Sequence, residues 1–124
     1  MITELGYPTS ADEMTARLAA IHTRHDHAAL VAVANTDVAA FIGLAVSPSF
    51  VRNTPNGQIV AMVVGAAHRR RGIGGAMVAH AHAWFGARDV KRIVVTSGLQ
   101  RADAHAFYRA CGYTDTGLRF VRNL

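Results

Sequence analysis

Three consecutive arginines, Arg69-Arg70-Arg71, lead into Gly72-Ile73-Gly74-Gly75, and the stretch Gln58 to Val64 just before them is nearly all apolar. This spacing reads as a buried strand that ends in a short loop from which a helix starts. A helix N-terminus offers unpaired N–H groups and the positive end of its dipole, which together suit an anion. Gly72, Gly74 and Gly75 let the main chain approach a ligand without side chains in the way. Arginine forks match phosphate oxygens, so the chemistry implied is the holding of a diphosphate. A second group of reactive types, Tyr108 and His105, falls in Ala104-His105-Ala106-Phe107-Tyr108-Arg109-Ala110-Cys111-Gly112-Tyr113 near the end of the chain.

Two common diphosphate loops do not fit. The nucleoside-triphosphate loop needs a lysine after its glycines, and none follows here. The dinucleotide fingerprint needs a third glycine where this chain has Met77, and Asp89 is misplaced as its acidic partner. The run Arg69-Arg70-Arg71-Gly72-Ile73-Gly74 instead resembles the [RQ]-x-x-G-x-[GA] signature of the GNAT N-acetyltransferase superfamily. The later run from Ala104 to Tyr113 is similar to that family's A-x-x-F-Y-x-x-x-G-[FY]. The resemblance extends from about Leu5 to Leu124.

The resemblance implies an acetyl-CoA-dependent N-acetyltransferase acting on a primary amine of a small molecule or peptide. It places the coenzyme pyrophosphate on Arg69, Arg70, Arg71, Gly72, Ile73, Gly74, Gly75 and Ala76. The pantetheine arm would lie along Met62, Val63 and Val64, in a gap where the fourth strand of the family plan splays from the fifth. Main-chain groups of Met62 and Val64 would bond the arm, with the Met62 N–H donating to the thioester oxygen. Ala104, Phe107 and Tyr108 would flank the coenzyme, with Tyr108 as general acid, its ordinary pKa of about 10 suiting a thiolate leaving group. Two positions depart from the family pattern. Arg101 stands where relatives carry an Asn, and Gln58 stands where many carry a Glu that helps deprotonate the amine. The base is therefore unassigned among His105, His68 and a water chain.

The elements that must position these residues follow from periodicity. Ser10 and Glu13 form a capping box, and Met14, Leu18 and Ile21 recur at helical spacing up to about His22. Ala29 to Ala34 and Val38 to Val46 read as a hairpin turning at Asn35-Thr36-Asp37. After a loop from Ser47 to Gly57, Gln58 to Val64 is expected as a strand buried on both faces. Gly72 to Phe85 reads as a helix with Ile73, Met77, Ala81 and Trp84 as its apolar stripe and Gly86 as its stop. Arg92 to Thr96 is expected as a short buried strand, Asp103 to Ala110 as a helix ended by Gly112, and Tyr113 to Leu124 as two short strands. The result is a mixed α/β fold in the order α-β-β-β-α-β-α-β-β, in one N-acetyltransferase domain spanning 1–124.

Composition narrows the classes. The 124 residues are 51% hydrophobic and 17% charged, which excludes a disordered chain and allows one core. The single cysteine, Cys111, rules out an internal disulfide and a cysteine zinc site. His80 and His82 are two apart on one helix and diverge, and His22, His25 and His27 have no obvious carboxylate or cysteine partner, so solvated histidines and no metal are expected. No apolar run approaches the roughly 18 residues of a membrane helix, and no signal peptide is apparent, so a soluble cytoplasmic protein is expected.

Lys91 is the only lysine among 13 basic residues, against 8 acidic ones, for a net charge of +5. A basic nucleic-acid-binding module is disfavoured because the arginines cluster tightly at a glycine-rich helix start. A non-catalytic coenzyme A sensor remains the alternative, given the missing Glu and Asn. The ending Tyr113 to Phe120 is similar to that of some aminoglycoside-modifying members. A polycationic substrate wants an acidic cleft, however, so it ranks below an unspecified small amine. Relatives generally carry a further strand and helix ahead of the point corresponding to Leu5-Gly6-Tyr7-Pro8. The strand Ala29 to Ala34 is then expected to present an open edge, and a homodimer to cover it.

Overall fold

The computed structural model describes residues 10–96 and 102–124. Helix α1 (Ala11–His22) starts with both bonds of the capping box: Ser10 Oγ accepts from the Glu13 N–H at 3.1 Å and Glu13 Oε1 from the Ser10 N–H at 2.9 Å. That main-chain bond from Ser10 holds the Glu13 carboxyl below the usual carboxylate range. Met14, Leu18 and Ile21 share one side of the helix and are half-buried.

Strands β1 (His27–Ala34) and β2 (Asp37–Ser47) form an antiparallel hairpin closed by the Ala34 and Asp37 pair. Asn35 makes the turn with φ of 57°, a left-handed conformation that asparagine tolerates. Strand β3 (Asn56–Val64) runs antiparallel to β2, and helix α2 (Ile73–Gly86) crosses over to β4 (Arg92–Val95), which lies parallel to β3. Helix α3 (Ala102–Ala110) follows. The described sheet has the order β1-β2-β3-β4, with β1 and β4 at its margins.

The core sits between this sheet and α2. Ile42 and Leu44 of β2, Ile59 of β3 and Phe85 of α2 are almost wholly buried, and Met77, Ala81 and Val90 complete the cluster. Each large apolar side chain buried in this way contributes about 1.5–3 kcal/mol. Gly57 is part of the same packing. A Cβ there would lie 2.8 Å from Val90 Cγ1 and 2.9 Å from the Phe85 ring.

Several expectations need correction. The buried positions of α2 are Met77, Val78, Ala81 and Phe85. Trp84 is half-buried against the core cluster, and the Arg88 guanidinium stacks 3.9 Å from its ring. Gly86 is the last helical residue, but Asp89, at φ of 60°, makes the left-handed turn. Neither β3 nor β4 is buried on both faces: Val60 is 57% exposed and Val94 40%. Because α2 covers one face, the ladder alternates between buried and open positions.

The two strands expected in Tyr113 to Leu124 are absent. That segment joins no ladder, with Leu118, Phe120 and Val121 exposed. A strand needs an edge within hydrogen-bonding distance, and the start of the segment is held elsewhere. Arg109 Nη2 donates to Asp115 Oδ2 at 2.8 Å, tying the chain to the end of α3. Among the described residues, no helix is long and apolar enough to cross a membrane.

Candidate active site

The pairing of β3 with β4 runs only from Asn56 and Arg92 to Ile59 and Val95. Beyond it, residues 60–64 of β3 have no partner on that side among the described residues, so the expected splay is present as a gap. The Gly65 N–H donates to Ala39 O at 2.8 Å. By the alternation of an antiparallel ladder, Phe41 and Val63 are then a hydrogen-bonded pair, while Ile42–Met62 and Ala40–Val64 are not. The main-chain groups of Met62 and Val64 therefore point away from β2 and into the gap. The Met62 side chain packs on the core cluster, and Val63 is buried.

A turn of residues Ala66–His68 leads from β3 to the arginine loop. Arg70 is left-handed at φ of 65° and Gly72 at 77°. The first bond of α2 is from the Ala76 N–H to Gly72 O, and no side chain caps the helix, so the N–H groups of Ile73, Gly74 and Gly75 precede the ladder. A Cβ on Gly72 or Gly75 would meet nothing within 4 Å, so the main chain is open to an incoming group. A diphosphate fits this cradle. Arg69, Arg70 and Arg71 form no ion pair among the described residues, and Arg69 Nε donates to Val64 O at 3.1 Å.

Gly74 also has a packing role. A Cβ there would lie 3.1 Å from the Phe107 ring and 3.5 Å from the Met62 methyl. Its absence is what seats α3 against the start of α2. Phe107 in turn meets the Tyr108 ring edge-on, with centroids 5.4 Å apart.

The C-terminus of α3 is closed by a Schellman pair: the Tyr113 N–H to Tyr108 O and the Gly112 N–H to Arg109 O, both at 3.0 Å, with Gly112 at φ of 93°. This turn brings the Tyr113 ring to 5.9 Å from that of Tyr108. The Tyr113 hydroxyl lies 2.8 Å from His82 Nε2 of α2. Burial, with smaller effects from Cys111 and Tyr108, pushes the Tyr113 phenol up to about 12, so it stays protonated at neutral pH. His82, read from sequence as a solvated residue, is thus part of a contact across 31 positions. No periodic signal links two such distant residues.

Tyr108 and His105 line one cleft of about 1080 Å³ between β4, α3 and residues 113–119. His68 does not line it; its Nδ1 is buried in the turn after β3 without a hydrogen-bond partner among the described residues. Ala104 is half-buried on α3 and Ala76 exposed on α2, while Arg101 lies outside the described residues. His27, one of the clustered histidines, bonds Asp26 at 2.8 Å, and Arg24 bonds the same carboxylate through two nitrogens.

Solved structures share this architecture. A GNAT family acetyltransferase from Staphylococcus aureus matches all of this chain and 84% of its own, at 22% identity and a TM-score of 0.85. AAC(6')-Iy, solved with the bisubstrate analog CoA-S-monomethyl-acetylneamine, matches all of this chain and 87% of its own, at 16% identity and a TM-score of 0.87. The aminoglycoside 6'-N-acetyltransferase AAC(6')-IG from Acinetobacter haemolyticus matches 95% of this chain and 85% of its own, at 18% identity and 0.81. At these identities the likeness is one of fold. No curated protein sequence matches the chain. Residues 2–113 match the model of the acetyltransferase (GNAT) family. With the arginine–glycine loop, the gap beside β3 and this match over most of its length, the chain belongs to the GNAT acetyltransferase family.

Proposed function

We propose that this protein transfers the acetyl group of acetyl-CoA to a primary amine by direct attack. The observation that carries this reading is the main chain of Met62 and Val64, turned away from β2 and without a ladder partner on that side among the described residues, just ahead of the bare start of α2. The N–H groups of Ile73, Gly74 and Gly75, with Arg69, Arg70 and Arg71, hold the coenzyme's pyrophosphate. The Met62 N–H donates to the thioester oxygen, where electron density builds during attack. The amine nitrogen forms a bond to the acetyl carbon as the carbon–sulfur bond breaks. Tyr108 supplies a proton to the departing sulfur. The amine proton leaves through the cleft, with His105 as the proposed acceptor, since the amide of Gln58 accepts none. Amide and free thiol are the products.

Coenzyme A at 100 times its dissociation constant is expected to stabilise the fold by about 2.7 kcal/mol in a thermal melt. Acetyl-CoA with an amine should release free thiol. Coenzyme stabilisation without thiol release from any amine would mark a coenzyme-binding protein without catalysis. No stabilisation by either coenzyme form would overturn the reading.

We further infer that two copies pair along β1. This strand lies at the sheet margin, and its Val31 and Val33 are more than half exposed, a combination that favours pairing with another chain.

A further inference from the structure

The cleft in front of Tyr108 bears on which amine is taken. Its charged lining comprises Arg92 from β4, Arg109 from α3, and Asp115 and Arg119 from the C-terminal segment. Asp115 is the one carboxylate among them, and it already accepts a bond from Arg109 at 2.8 Å. Arg92 and Arg119 have no ion-pair partner among the described residues. Arg92 comes from β4 and Arg119 from the segment after α3, and both line this cleft. A polycation entering here would meet two uncompensated guanidinium groups and no free carboxylate. Like charges brought together in a cleft oppose binding, and guanidinium forks match carboxylate and phosphate oxygens.

We propose that the acceptor is a primary amine that also carries an anionic group, a carboxylate or a phosphate. Arg92 and Arg119 hold that group while the amine turns toward Tyr108. The proposal rests on the acetyl-transfer reading above and adds the acceptor's charge to it.

The test compares kcat/KM for thiol release from acetyl-CoA with five acceptors: β-alanine, O-phosphoethanolamine, neutral ethanolamine, spermidine and kanamycin. At least one of the two anionic amines is expected to exceed ethanolamine by about ten-fold or more, a contrast typical of paired against unpaired charges. Which of them leads distinguishes carboxylate from phosphate. The Arg92→Glu/Arg119→Glu double variant is expected to reverse the order in favour of spermidine and to keep its stabilisation by coenzyme A. If that variant does not fold, the single changes Arg92→Ala and Arg119→Ala decide, each lowering kcat/KM for the anionic amine and sparing ethanolamine. A wild type that prefers ethanolamine, spermidine or kanamycin overturns the proposal. So does an order unmoved by these substitutions, or the absence of thiol release with all five. Stabilisation by coenzyme A in those cases leaves the coenzyme reading standing, whereas its absence overturns both.

Discussion

Tyr108 meets two rings edge-on, Phe107 before it and Tyr113 after the turn, and Tyr113 in turn bonds the His82 imidazole of α2. In the proposed mechanism, removing its hydroxyl removes the proton donor to the departing sulfur. Tyr108→Phe is expected to lower kcat roughly ten- to a thousand-fold while leaving coenzyme A stabilisation unchanged. Equal turnover by the two proteins would remove Tyr108 from the mechanism. At the other end of the molecule, bonds from Arg24 and then His27 hold the Asp26 carboxyl well below the usual carboxylate range. A depressed folded-state pKa stabilises the fold above the unfolded value of about 3.9, and that contribution is lost as pH falls through the folded value. Arg24→Ala should therefore move the Asp26 midpoint upward in a carboxyl NMR titration. A midpoint that stays put would mean that Arg24 does not set it.

At the scale of elements, the glycines separate into two kinds. Gly72 and Gly75 leave the main chain open, whereas Gly57 and Gly74 let neighbouring rings come close. Gly57→Ala would push a methyl into Val90 and Phe85, and overpacking of this sort costs about 1–3 kcal/mol. Urea unfolding should show that loss, and a midpoint within error of wild type would disprove the close approach. The sequence pattern could not make this distinction, because a glycine motif names positions and not what faces them. The α2 stripe was legible in the same limited way. Met77 and Ala81 followed from spacing, but choosing Phe85 over Trp84 depended on where the sheet lay. The segment Tyr113 to Leu124 has strand-forming residues, yet it joins no ladder among the described residues, and its start lines the cleft with Arg109 bonded to Asp115.

At the scale of the whole molecule, β1 remains the open margin of the described sheet. Light scattering at micromolar concentration is expected to give a dimer mass, and Val33→Lys, which places a charge on that edge, a monomer. A wild-type monomer would sink the pairing. The sequence by itself determined the family, the capping box, the hairpin and the position of the arginine–glycine loop, because each depends on residues close together in the chain. Only the tertiary structure decided that Gly57 and Gly74 let rings come close, that His82 reaches Tyr113, and that Arg92 and Arg119 line one cleft. Those relations depend on strand register and helix packing, which join residues that no local pattern connects.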